Sequence, residues 1–174
     1  MPHLQDPYFA QSVVFLAEHK EDGAMGLIIN KPFKELELKQ LFTDLFNDQE
    51  NLLEIVPEVF FGGPVMVERG ILLHSGKYTT DGTLTVSEDF GITSHKSILE
   101  DITGDLGPEY YKLMLGHAGW GPGQLEKEIE NGDWLLQEAT ARLIFHTPAS
   151  AVWNKASQAF GIDLSSPSGI GGRA

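Results

Sequence analysis

Three histidines, His74, His117 and His146, each close an apolar run just before a turn or a helix start. If those runs were neighbouring strands pointing the same way, three imidazoles could converge on zinc or iron and leave one coordination position open. No short ligand spacing such as HxH or HExxH accompanies them, and lone strand-end histidines usually serve as hydrogen-bonded structural groups. The expectation is no metal and no cofactor. Ser75 in HSGK fits neither a GxSxG elbow nor an SxxK motif, and the absence of cysteine removes thiolate nucleophiles and thiolate metal sites together. Glu126, Glu128 and Glu130 read as a solvated helix face instead of a paired acid and base. No catalytic residue is assigned.

The densest feature is Tyr110 to Gly123, YYKLMLGHAGWGPG, where an apolar strand-like run enters four glycines, Gly116, Gly119, Gly121 and Gly123, and a helix-like QLEKEIENGD follows. Glycine serves where the backbone needs positive φ or a close approach, so this reads as a tightly built strand-to-helix corner with Trp120 packed into it. Free N–H groups at such a corner could hold an anion, but the spacing matches neither the P-loop nor GxGxxG. Gly62-Gly63-Pro64 is a second glycine turn. Gly62, Gly63, His74, His117, Trp120 and Gly121 are the candidate binding residues.

The elements that must position these residues follow from periodicity. Ser12 to Ala17 and Ala24 to Ile29 are apolar runs joined through Asp22-Gly23, a hairpin signal; as neither run alternates, each strand is expected to be covered on both faces. Leu38, Leu41, Phe42, Leu45 and Phe46 form the stripe of an amphipathic helix, and the acidic stretch Asn47 to Glu58 reads as a loop. Val59 to Phe61, Arg69 to His74 and Thr83 to Ser87 read as strands. Ile98, Leu99, Ile102 and Leu106 have helical spacing behind Thr93 or Ser94 as cap. Trp134 to Gln137 and Leu143 to Phe145 are strand candidates, and Thr147-Pro148 starts a helix carrying Val152, Trp153, Ala156, Ala159 and Phe160. Strands joined by hairpins, without regular βαβ spacing, indicate an α+β fold: a mixed, largely antiparallel sheet, curled towards a barrel, with flanking helices.

At 174 residues one domain suffices, expected over 1–164, with a small-residue tail over 165–174. The chain carries 12 basic and 25 acidic residues, a net charge of -13. Its basic residues are scattered singly, which argues against phosphate-backbone binding. No apolar run approaches the ~18 to 20 residues needed to cross a bilayer, and MPHLQDPYF lacks the pattern of a signal peptide. A cytoplasmic protein is expected.

Taken in order, MPHLQDPYFAQSVVFLAEH, GAMGLIINKP, FFGGPV, RGILLHS, GHAGWGPGQLEKEI and IFHTP, with the later FGID, resemble the YqgE/AlgH family of bacterial proteins across almost the whole chain. The resemblance implies a compact α+β fold on a barrel-like sheet and a role in regulating transcription, with no catalytic residue, metal or ligand attached to it. Relatives begin about ten residues earlier with an apolar segment, so either the start differs or a first strand is absent; the neighbouring strand would then have an open edge. The family pattern carries tyrosine where this chain has His117, which leaves that residue a binding-surface candidate only. The expected function is non-enzymatic binding or regulation through a protein partner or small ligand at the glycine turns. The alternatives are a small-molecule enzyme using the strand-end histidines and a regulator that contacts nucleic acid directly.

Overall fold

The computed structural model describes residues 8–34, 37, 58–94, 101–102 and 106–161. β1 (Val14–Lys20) and β2 (Gly23–Ile28) form the hairpin that Asp22-Gly23 signals. β3 (Val59–Phe61), β4 (Val65–Ser75), β5 (Thr83–Thr85), β6 (Phe90–Thr93) and β7 (Tyr111–Trp120) complete one sheet, in the order β1-β2-β7-β4-β6-β5. β3 joins β7 in parallel, on the same side of β7 as β2; the other pairings are antiparallel. The sheet is mixed, largely antiparallel and curled into a half-barrel. Its distant strands meet through side chains, with the rings of Phe15 on β1 and Phe90 on β6 5.3 Å apart.

Three described helices follow the sheet: α1 (Gln124–Glu130), α2 (Ala141–Phe145) and α3 (Ala149–Gln158). Ile144 of α2 and Val152 of α3 enter the inner core beside Phe15, Leu27, Phe60 and Met114. A second cluster gathers Ala118, Trp120 and Leu125, with Val14, Leu16, Phe9 and Trp134 against it. Neighbouring residues of β1 therefore serve different clusters: Phe15 enters one, while Val14 and Leu16 pack on the other. That is why SVVFLA is apolar throughout instead of alternating. Lys112 is a buried cation on β7, its Nζ donating to the Ile29 carbonyl oxygen at 3.1 Å and lying 4.2 Å from the Phe60 ring centre. Burial lowers its pKa, with Glu58 opposing.

Several local expectations give way to tertiary structure. The expected corner is mostly strand, because β7 continues through Gly116 and Gly119 to Trp120 and only Gly121 to Gly123 makes the turn. Trp134 to Gln137 forms no strand and has no strand partner among the described residues, and Leu143 to Phe145 lies in α2, whose start is fixed by Thr140 Oγ1 accepting the Leu143 N–H at 3.2 Å. Thr147 does not cap α3; its hydroxyl donates to the Arg142 carbonyl oxygen. The Arg69 to His74 strand starts earlier, at Val65, and β6 joins the strands expected from sequence. Thr93 ends β6, and Ser94 accepts from Arg69 Nη2. Asp101 and Ile102 are helical. The rest of that helix except Leu106, the Leu38 to Phe46 helix, the loop before Glu58, the first seven residues and the 165–174 tail lie outside the described residues.

Candidate functional site

The two glycine turns meet each other. Gly62 donates its N–H to the Leu115 carbonyl oxygen at 2.8 Å, and the chain leaving β3 then crosses β7 at Gly116. A Cβ on Gly62 would collide with the Gly116 carbonyl, one on Gly63 with the His117 backbone, and one on Gly116 with the Gly63 carbonyl. All three contacts fall inside the 3.0 Å that real Cβ atoms essentially never breach. Gly63 and Gly116 also have φ of 149° and 71°, the region that favours glycine. β4 accommodates the crossing by a register jump between Val65 and Gly70 opposite β7, with Met66 at φ 52°. These glycines fill the space between the strands, so their backbone surfaces face one another.

The three histidines occupy separate surroundings. His74 has no exposed surface. Its Nδ1 lies 3.0 Å from the Ser75 carbonyl oxygen, which can only accept, so Nδ1 carries the proton and Nε2 accepts from Thr93 Oγ1 at 3.0 Å. Thr93 must then accept from Thr83 Oγ1 at 2.7 Å, and Thr83 accepts the Thr80 N–H at 3.0 Å. His117 pairs with Val65 across the β4–β7 ladder and its Nδ1 is buried without a hydrogen-bond partner among the described residues. His146 stands edge-on to the Tyr110 ring at 4.5 Å. Among the described residues, no three His, Asp or Glu side chains are grouped as metal ligands.

Burial lowers the pKa of His74, against the Ser75 hydrogen bond; burial and then the Arg69 charge lower that of His117. The unfolded chain therefore takes up these protons first. Stability from the neutral rings is complete above about pH 6.5 and is lost as pH falls below it, by at most ~1.4 kcal/mol per unit for each proton. Nitrogen NMR should show His74 as the Nδ1–H tautomer, still neutral once an ordinary histidine has protonated. An Nε2–H signal would break the relay through Thr93.

A different place carries open surface. Ser12 to Leu16 at the β1 edge and the segment Trp134 to Ala139 line a cleft of about 350 Å³, together with Ile144, Trp153 and Ala156. All three tryptophans of the chain, Trp120, Trp134 and Trp153, line it. Two are held by one carboxylate: Trp120 Nε1 and Trp134 Nε1 donate to Glu128 Oε2 at 2.8 and 2.7 Å. The other oxygen, Oε1, accepts from Gln124 Nε2 at 2.9 Å, and Gln124 Oε1 accepts the Gly121 N–H at 3.0 Å. Gly121 thus anchors the network through its backbone. Trp153 Nε1 is buried without a partner among the described residues. Leu135 and Leu136, also on the walls, are 45% and 63% exposed, and among the described residues Glu138 is the only ionisable side chain there.

Of the candidate residues, Trp120 lines this cleft and Gly121 supports it, while Gly62, Gly63, His74 and His117 do not line it. Glu128, Trp134 and Trp153 were not singled out from sequence. Glu128 differs from the expected solvated face: it is half-buried on the side of α1 that carries Leu125 and Ile129. The spacing 125, 128, 129 is the signal that could have found it. Glu126 does face outward, where its Oε1 pairs with His19 Nε2 at 2.6 Å.

The AlgH-like family model matches residues 1–165. A UPF0301 protein of Paraburkholderia phytofirmans is 43% identical over the whole chain and 91% of its own length, and one of Proteus mirabilis is 38% identical over the whole chain and 95% of its own. Among solved structures, the solution structure of the AlgH protein from Pseudomonas aeruginosa superposes with a TM-score of 0.76 at 35% identity, covering the whole chain and 92% of that protein. A crystal structure from Corynebacterium diphtheriae, at TM-score 0.70 and 24% identity over 91% of this chain and 82% of that one, shares the fold.

Proposed function

The chain belongs to the AlgH-like family, and on that premise we propose that it is a non-catalytic binding protein whose working surface is the tryptophan-lined cleft. The observation that carries the reading is the cleft itself. Its walls are almost wholly apolar, and two of its aromatic rings are fixed in place by Glu128. A preformed apolar concavity with few, localised polar groups is what a ligand site requires. The regulatory role implied by the family resemblance would run through what this cleft captures, since a net charge of -13 opposes direct phosphate contact. The cytoplasmic setting is retained, which suits a cysteine-free chain.

Nile red, a neutral apolar dye, is the probe for this reading. Binding should quench tryptophan emission, and Leu136→Asp should weaken it tenfold or more without lowering Tm, because Leu136 is already largely exposed. Failure of the dye to bind, or undiminished binding by the variant, would remove the cleft as the working surface.

A further inference from the structure

The cleft has a direction as well as a volume. Val13 donates its N–H to Asn30 Oδ1 at 2.8 Å and accepts the Ile29 N–H on its carbonyl at 3.0 Å, so its polar backbone groups face β2. Backbone groups alternate sides along a strand. Those of Phe15 face β2 as well, and the N–H and C=O groups of Val14 and Leu16 face away from it. β1 ends the strand order, and among the described residues no backbone group pairs with Val14 or Leu16 on that outer side.

The opposite wall has the same character. Trp134 to Ala139 belongs to no helix or strand, and among the described residues none of its backbone groups bonds to other backbone. Two unpaired main chains therefore border one apolar space. The free stretch of β1 is short, because a bulge between Leu16 and Glu18 re-aims the strand. Ser12 to Leu16 spans roughly 13 Å, enough for about four extended residues.

We propose that the cleft binds an extended peptide segment of another protein, which adds to β1 as a further strand. This rests on the cleft being the working surface, and it names the ligand class. Main-chain hydrogen bonds to Val14 and Leu16 would supply register-fixed affinity. Because β1 separates the two clusters, successive peptide side chains would enter opposite faces, one toward Trp120 and Trp134 and the next toward Leu143 and Trp153. The segment is therefore apolar at consecutive positions. A basic residue beside it meets Glu138 and the acidic protein as a whole. A second copy of this chain is the poorer occupant, since it would bring -13 against -13.

The probe is the fluorescein-labelled capped peptide acetyl-Lys-Val-Leu-Val-Lys-amide, compared with two analogues N-methylated at alternate residues in either phase. N-methylation removes backbone donors and leaves every side chain in place. At least one analogue should bind tenfold or more weakly by fluorescence anisotropy. In the protein, Val14→Pro should weaken the parent peptide at least tenfold more than it weakens Nile red, whose affinity needs no backbone donor, while circular dichroism stays unchanged, because proline is tolerated where a strand's N–H faces outward. Equal binding of all three peptides would overturn the inference, as would dye binding without peptide binding, which leaves the cleft reading intact. Binding of neither probe would sink both. A concentration-dependent dimer in sedimentation, abolished by Val14→Pro, would assign the edge to a second copy and overturn the peptide.

Discussion

Gly63→Ala should destabilise the protein by ~4 kcal/mol or more, a loss of roughly 10 °C in Tm, and leave much of the expressed protein insoluble. The new methyl would overlap the His117 backbone, and the nearest atoms are main chain on the central strand, which cannot turn aside as a flexible side chain would. The substitution also imposes a φ of 149° on an L-residue. Gly119→Ala, two residues beyond His117 on β7, is the control. Its Cβ would meet nothing nearer than Val65 Cγ2 at 3.9 Å, so its effect should stay within about 0.5 kcal/mol. Denaturant unfolding of the pair checks the claim. If Gly63→Ala and Gly119→Ala melt alike, the crossing of β7 by the chain leaving β3 is not the close contact described.

Glu128→Leu is the second large effect, and it links stability to binding. Removing the carboxylate strands the indole N–H groups of Trp120 and Trp134 together with one donor of Gln124. Each buried donor left without a partner costs about 1–3 kcal/mol, so a total of ~3 kcal/mol is expected. Nile red affinity should fall at least tenfold as the two rings lose their common anchor. Glu128→Gln separates charge from geometry. Its amide oxygen can still accept from both indoles, but its NH₂ would face Gln124, whose own oxygen is committed to the Gly121 N–H. An intermediate loss is expected, while wild-type dye affinity in Glu128→Leu would show that the rings are held by packing alone.

How much of this was legible in the sequence varies from element to element. The β1–β2 hairpin was, since Asp22-Gly23 joins two apolar runs, and so was the sheet class, since hairpin turns outnumber helical crossovers. The length of β7 was hidden because Gly116 and Gly119 look alike in sequence. Only the approach of Gly62 and Gly63, some fifty residues away, explains why Gly116 has positive φ inside a strand while Gly119 has open space around it. α2 was hidden for a related reason: Leu143 to Phe145 is an apolar triplet of either habit, and the Thr140 cap with Ile144 packed beside Val152 decides for helix. The cleft could not be read at all, because its walls come from residues 12–16, 29, 120, 125, 134–139 and 143–160. Its one trace was that the three tryptophans fall near or beyond the end of β7, and composition says nothing of where they converge.

The position of β7 in the strand order bears on biosynthesis. It joins the β1–β2 hairpin to the antiparallel group β4, β6 and β5 and is the partner of β3, yet it is the last of the described strands to leave the ribosome. Until Trp120 emerges, a nascent chain has two apolar half-sheets with no seam to join them, and the loop closures needed are long. Assembly therefore waits on translation, and meanwhile the unfinished hairpin and the β4, β6 and β5 group expose the apolar surface and strand edges that chaperones cover.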